Sequence, residues 1–380
     1  MLRRLGTVEN ILVTGGAGFI GSHLVDALVA LGNRVRVLDL LVPQVHGRDI
    51  RMPKYLPNGV EFMKGDVSDA AAWRWALKDI DIVFHEAAEV GVGQSMYEIV
   101  KYMKANTLGT AIMLELLTTD EYPIEKLVVA SSMSIYGEGA YECPSCGPVF
   151  PQLRTSEQLL QRDWRMRCPN CQRFATPVPT REDKPLFPTS IYAISKRDQE
   201  EMCLAIGRAY GIPTVALRYF NAYGPRQALS NPYTGVAAIF SSRLLNGSPP
   251  LIFEDGLQSR DFVHVSDIVQ ANLLAMKNDH ANYEVFNIGT GRSLTVFDVA
   301  RALAQALDVE IEPKIVEKFR EGDIRHCYAD ISKAQQVLGY IPKVAFEDGV
   351  SDLVKWVSEQ ESLDLVDNAT RELEMRGLTK

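Results

Sequence analysis

Four glycines within seven positions, placed directly after a short apolar run, constrain this chain more than any other feature. Asn10-Ile-Leu-Val-Thr14 reads as a buried strand and Phe19 to Leu31 as an amphipathic helix, with Gly15, Gly16, Gly18 and Gly21 at the junction. Gly15 permits the tight turn, Gly18 lets backbone approach a pyrophosphate, and Gly21 lets the helix pack closely on the strand. The helix N-terminus, including Phe19 and Ile20, then offers unpaired N–H groups to phosphates. The spacing is GxxGxxG rather than GxGxxG, and taken alone it is equally the trace of a glycine turn in some other βα unit.

Context narrows that choice. Arg34-Val-Arg-Val-Leu-Asp39 is a second strand that ends in a carboxylate 18 residues beyond Gly21. A ribose 2′-hydroxyl acceptor is expected there, which favours NAD over NADP. Asp66 and Val67 follow a third strand and are placed to meet an adenine. Ile82-Val-Phe-His85-Glu-Ala87-Ala88 is a fourth strand ending in small residues that admit a cofactor; His85 reads as structural. Continued alternation of apolar strands and helices predicts an α/β fold, a Rossmann-like doubly wound parallel sheet with a smaller C-terminal lobe.

Lys126-Leu-Val-Val-Ala-Ser131 reads as a fifth strand, with Ser132 just past its end, where ligands bind in open parallel sheets. Ser131 and Ser134 read as turn residues. Tyr192 and Lys196 stand four apart in a segment of helical character and so share one face. An ammonium beside a phenol favours the phenolate. That makes a base able to take a hydroxyl proton while hydride leaves the same carbon.

The net charge of −8 and a sequence pI near 5.4 argue against a nucleic-acid surface, so anionic ligands must be met by local cations or backbone N–H groups. Met1 to Gly6 starts like a leader, but the glycines break the apolar stretch after it. With no apolar run long enough for a bilayer, a soluble cytoplasmic protein without membrane partners is expected.

These motifs in this order resemble the extended short-chain dehydrogenase/reductase group, specifically its NAD-dependent nucleotide-sugar epimerases and dehydratases. The resemblance runs from about Asn10 to Trp356: TGGAGFIGSHL at 14–24, HEAAEVGVGQS at 85–95, ASSMSIYG at 130–137, YAISK at 192–196, RYFNAYGPRQ at 218–227, SRDFVHVSD at 259–267, FNIGTG at 286–291 and REGDIRHCYAD at 320–330. It implies that Tyr192 is the catalytic base, that Lys196 binds the nicotinamide ribose, and that Ser132 bonds the reacting sugar oxygen. It places Asn106 and Tyr219 near the cofactor, and Asn221, Arg260, Arg320 and Asp323 on the diphosphate and nucleoside of a nucleotide-sugar substrate. Phe253 either packs on the base or belongs to the core. Family members usually dimerise through helices matching about 94–118 and 190–205, which implies a homodimer.

Within the family, 4,6-dehydratases usually carry Asp-Glu after the residue matching Ser132; here Met133 and Ser134 stand there. Epimerisation at C4 needs no further base and is the expected reaction. The segments at 91–98 and 228–235 look closest to dTDP-sugar 4-epimerases of the L-rhamnose type, with UDP-sugar 4-epimerases next. A dehydratase or decarboxylase is the alternative reaction, and a silent NAD-binding module the alternative class. Glu86 replaces a residue more often aliphatic in the family; neither it nor Glu89 receives a role.

Cys143-Pro-Ser-Cys146 and Cys168-Pro-Asn-Cys171 are two knuckles with 21 residues between Cys146 and Cys168, close to zinc-ribbon spacing. Four thiolates satisfy a tetrahedral structural zinc with no open position for catalysis. A redox pair or relic site is the alternative, and Cys203 and Cys327 read as ordinary thiols. The knuckles lie in an insertion, 138–183, where the family usually has a shorter connection over the substrate cleft. Residues 1–220 apart from this insertion are expected to form the cofactor domain, 221–358 mainly the substrate lobe, and 359–380 a polar tail, either a solvated helix or loose.

Overall fold

The computed structural model describes residues 8–47, 51–119, 121–229, 231–233, 235–360 and 364–380. The leader-like Met1 to Gly6 and two positions of the 228–235 motif, Ser230 and Thr234, lie outside them.

Seven parallel strands form the central sheet: β1 (Asn10–Thr14), β2 (Arg34–Asp39), β3 (Glu61–Lys64), β4 (Ile82–His85), β5 (Lys126–Ser132), β6 (Thr214–Tyr219) and β7 (Val285–Ile288). Their spatial order is β7-β6-β5-β4-β1-β2-β3. The chain starts in the interior and winds outward both ways, so a crevice opens where β1 and β4 part direction at their carboxyl ends. Strands covered on both faces read as continuous apolar runs, and every residue of β5 and β6 is buried.

Helix α1 (Phe19–Ala30) sends Leu24, Val25 and Leu28 into one face of the sheet, where Ile268, Ala271 and Ala275 join them. The opposite face carries Trp73, Met113, Leu117 and Leu204. Each such side chain removed from water contributes roughly 1.5–3 kcal/mol, so the two layers fix the sheet firmly. The smaller lobe packs helices Val236–Leu245, Val296–Ala306 and Phe346–Ser358 around Phe240, Leu303 and Leu353. One of these helices, Val236–Leu245, lies between β6 and β7; residues 265–288 return the chain to the sheet, and the other two helices follow β7.

Residues 138–183 carry their own small antiparallel sheet from Ala140–Cys143, Gly147–Val149 and Thr176–Val178. Its core is Tyr141, Val149 and Met166 packed with Cys143 and Cys168. Residues 364–380 are neither loose nor fully solvated. Val366–Met375 is a helix that buries Val366, Ala369 and Leu373, and its end pairs with the strand-like segment at Phe319–Glu321. Among the described residues, no helix is long and apolar enough to cross a membrane.

Candidate active site

The crevice is a cleft of about 540 Å³ at the carboxyl ends of β1, β4, β5 and β6, with a second recess of about 260 Å³ adjoining it. These volumes suit a dinucleotide and a second ligand lying end to end. Gly15, Gly18, Phe19, Ile20, Gly21, Asp39, Asp66, Val67, Ala87, Ala88, Ser132, Tyr192, Lys196, Tyr219, Asn221 and Arg320 all line the larger cavity.

The glycine turn behaves as its chemistry requires. Gly15 has φ +67°, and a Cβ there would stand 2.8 Å from the Ala87 amide nitrogen. A Cβ on Gly21 would strike the Gly15 carbonyl oxygen. Helix α1 has no side-chain cap, so its first N–H groups are left for a ligand at its N-terminus. Asp39 closes β2 and accepts from the amides of Ala17 (3.0 Å) and Leu41 (2.8 Å), which fixes its carboxylate at the cleft wall. Burial works to raise the Asp66 carboxyl, but the Ser68 hydrogen bonds and Lys104 outweigh it and hold the group below its usual range. Glycines for close approach, an uncapped helix and a fixed carboxylate fit NAD.

Tyr192 and Lys196 sit in the first turns of the long helix Ile191–Tyr210, which Ser190 caps by accepting from the Ala193 amide at 3.1 Å. Lys196 Nζ donates to the Ala130 carbonyl at 2.8 Å, which ties the helix to β5. Burial brings this lysine down to about 8, with Glu86 and Cys203 opposing. Burial also pushes the Tyr192 phenol up, with a Ser132 hydrogen bond pulling it down. The expected ammonium effect on the phenol is therefore not the dominant one; in the protein alone, desolvation wins. Ser132 Oγ accepts from the Ser134 amide (3.2 Å) and hydroxyl (2.9 Å) in the turn Met133–Tyr136.

Several sequence readings change. Ser131 is not a turn residue: it stays within β5 and donates to Glu200 at 2.6 Å, because Glu200 is held in the core by Arg218. Asn106 is fully buried behind the cleft wall rather than in it. It accepts from the Glu89 amide and donates to the Glu89 carbonyl and to Ser195. His85 is structural, as expected: Thr14 and Thr110 hold its two ring nitrogens at 2.9 Å each, and burial drives its pKa to about 3.

Phe253, Arg260, Asp323, Arg320 and Asn221 line the second recess. The Arg320 guanidinium lies 4.0 Å over the Phe253 ring, and its Nε has no partner, as has Asn221 Oδ1. Arg260 is partly spent: it donates to the carbonyls of Ser259, Ile324 and Arg325 at 2.7–3.0 Å. Arg260 Nη2 also stands 3.9 Å from the Asp323 carboxylate.

Two contributors escaped sequence reading. Glu86 enters the cleft wall and accepts from the Tyr219 hydroxyl at 2.8 Å; Tyr219 is held in turn by Asn272. Val366, Ala369, Thr370 and Leu373 of the C-terminal helix line the cleft from above. Their spacing at one helical face was visible in the sequence.

The four knuckle cysteines converge, with all four sulfurs within 4.8 Å of one another. Sulfurs about 2.3 Å from one tetrahedral ion stand about 3.8 Å apart, so the donor set fits zinc.

Comparison with known proteins agrees with this geometry. A dTDP-L-rhamnose 4-epimerase of Burkholderia thailandensis is 35% identical over 93% of this chain and 96% of its own. A UDP-glucose 4-epimerase of Thermotoga maritima, solved with UDP-glucose, is 33% identical with TM-score 0.73, covering 92% of this chain and 99% of its own. The Thermus thermophilus UDP-glucose 4-epimerase, solved with NAD, is 32% identical with TM-score 0.72, covering 93% and 100%. Residues 11–154 and 171–289 match the NAD dependent epimerase/dehydratase family, with the intervening gap falling inside the cysteine-bearing insertion, and the chain belongs to that family.

Proposed function

We propose that this chain is an NAD-dependent nucleotide-sugar 4-epimerase whose substrate is a dTDP-sugar of the L-rhamnose type. The observation that carries the reading is one cleft holding Ser132, Tyr192 and Lys196 between the glycine turn and the Phe253–Arg320 recess. NAD, when bound, supplies an acceptor that takes hydride from C4 of the sugar and returns it to the opposite face. Gly15, Gly18, Gly21, Asp39 and Lys196 hold the cofactor. Ser132 holds the C4 oxygen and Tyr192 takes its proton, giving a 4-keto sugar, then returns that proton after the sugar has turned over. Arg320 and Arg260 meet the diphosphate, and Phe253 faces the base. Met133 and Ser134, at the positions after Ser132, offer no carboxyl group for eliminating water.

Three further assignments accompany this. Zinc is structural, held by Cys143, Cys146, Cys168 and Cys171. The enzyme is a homodimer through the helices at 94–118 and 190–205. It works in the cytoplasm, where a thiolate cluster stays reduced.

The test is NMR of the protein incubated with dTDP-L-rhamnose, then with UDP-galactose and UDP-glucuronate. A sugar of unchanged mass with inverted C4 couplings is expected; loss of water or CO₂ would refute epimerisation. Tyr192→Phe is expected to lower kcat by about 10²–10⁴ while NAD stays bound.

A further inference from the structure

The cysteine-bearing insertion does more than cap the molecule, because its fixed contacts converge on the residues of the second recess. Arg154, from the insertion, donates through both Nη atoms to Glu254 at 2.8 Å each. Glu254 adjoins Phe253 and also accepts from Arg325 at 2.7 Å, while Arg325 grips Asp255 at 2.6 and 2.8 Å. Leu159 and Trp164 pack on Phe319, and Ser156 donates to Glu321 at 3.0 Å. Arg320 is thus flanked on both sides by residues that the insertion holds.

A second line of contacts starts at the cysteines. Tyr141 is fully buried among Cys143, Cys168 and Val149. Its hydroxyl donates to Glu138 at 2.9 Å, and Glu138 accepts from the amides of Arg325 and His326. The Arg325 carbonyl then accepts from Arg260 at 3.0 Å. Both recess arginines are reached in this way.

The reacting end is tied down separately. Lys184 Nζ donates to the Tyr136 carbonyl at 2.9 Å, and the Tyr136 hydroxyl donates to Asn287 at 2.7 Å. The chain entering and leaving the insertion is therefore clamped to the sheet side, so a loosened insertion need not move Ser132 or Tyr192.

We infer that the insertion sets the geometry of the nucleotide end of the substrate cleft, with Arg154 as a positioning residue. Gathering the four cysteines on a metal tightens nucleoside-diphosphate binding and leaves the hydride chemistry unchanged. This rests on the nucleotide-sugar reading of the recess.

The experiment uses the purified enzyme with its bound NAD. Calorimetry with dTDP and UDP, together with kcat and KM, is run on wild type, on Arg154→Met, and on wild type stripped of metal by a chelator. Expected are Kd and KM raised about tenfold in both perturbed forms, with kcat held within about twofold and NAD content unchanged. Unchanged Kd in both would overturn the proposal, as would kcat and NAD content falling together. An enzyme isolated without metal would overturn its metal half. If Arg154→Met does not fold, the chelated wild type decides, with hydrogen exchange at 138–183 confirming that the insertion has loosened. Failure of wild type to bind either nucleotide would instead remove the substrate reading, which is a separable result.

Discussion

At the scale of single residues, Glu86 is the most consequential departure from what the sequence disclosed. Burial pushes its carboxyl up to about 7, against the Tyr219 hydrogen bond and Lys196, which pull it down. Lys196 is brought to about 8 by burial and is partly restored by Glu86. Ionised Glu86 thus helps Lys196 keep its proton, and that help exists only above about pH 7, where the carboxylate is charged. Glu86→Gln removes it, so Lys196 should lose its proton at lower pH. The alkaline fall of kcat is expected to move to lower pH, with little change below pH 7, where wild-type Glu86 is already neutral. Profiles of kcat against pH for both forms check this; superimposable alkaline limbs would break the link. Tyr192 and Lys196 were legible because a helix places i and i+4 on one face. Glu86 was not, because its partner Tyr219 lies 133 positions away and meets it only through strand order.

Among the elements, the helix Val366–Met375 shows how composition misleads. Its polar residues suggested a solvated segment, yet Val366, Ala369 and Leu373 fall on one face that covers the cleft. Arg243 anchors it through Asp367 at 2.8 Å and Asp364 at 3.3 Å. Removing residues 361–380 should leave NAD bound, since the glycine turn lies on other elements, but should raise KM by roughly tenfold as the cleft opens to water. Steady-state kinetics with a bound-cofactor assay separate the two effects. The glycine turn, by contrast, was legible almost in full, because strand, turn and helix are neighbours in sequence and their requirements are local. The burial of Asn106 was not legible for the complementary reason: which layer a helix residue faces depends on packing that spacing alone does not specify.

For the molecule as a whole, the doubly wound sheet followed from the alternation of elements, whereas the docking of the insertion onto the smaller lobe did not. That docking is built from buried charges, such as Arg154 and Glu254, that carry no periodic signal. The surface also holds an apolar strip formed by Ile99 (46% exposed), Val100 (78%), Leu108 (47%) and Ile194 (38%). In the proposed homodimer a second copy would cover this strip. Light scattering should give twice the chain mass of 42.3 kDa, and Val100→Asp should shift the protein toward the monomer. Equal masses for both proteins would dismiss this face as the contact.

The smaller lobe is split in sequence around β7, with one helix before it and two after, and this has a consequence for biogenesis. A nascent chain leaving the ribosome has made six of the seven sheet strands by Tyr219, yet the outer edge of β6 waits for Val285–Ile288 to pair with it. During that interval the polypeptide carries a six-residue strand with an open edge, the kind of surface that is prone to self-association. The helices Val296–Ala306 and Phe346–Ser358 emerge only after that edge is closed, so the sheet is complete in sequence before the smaller lobe is.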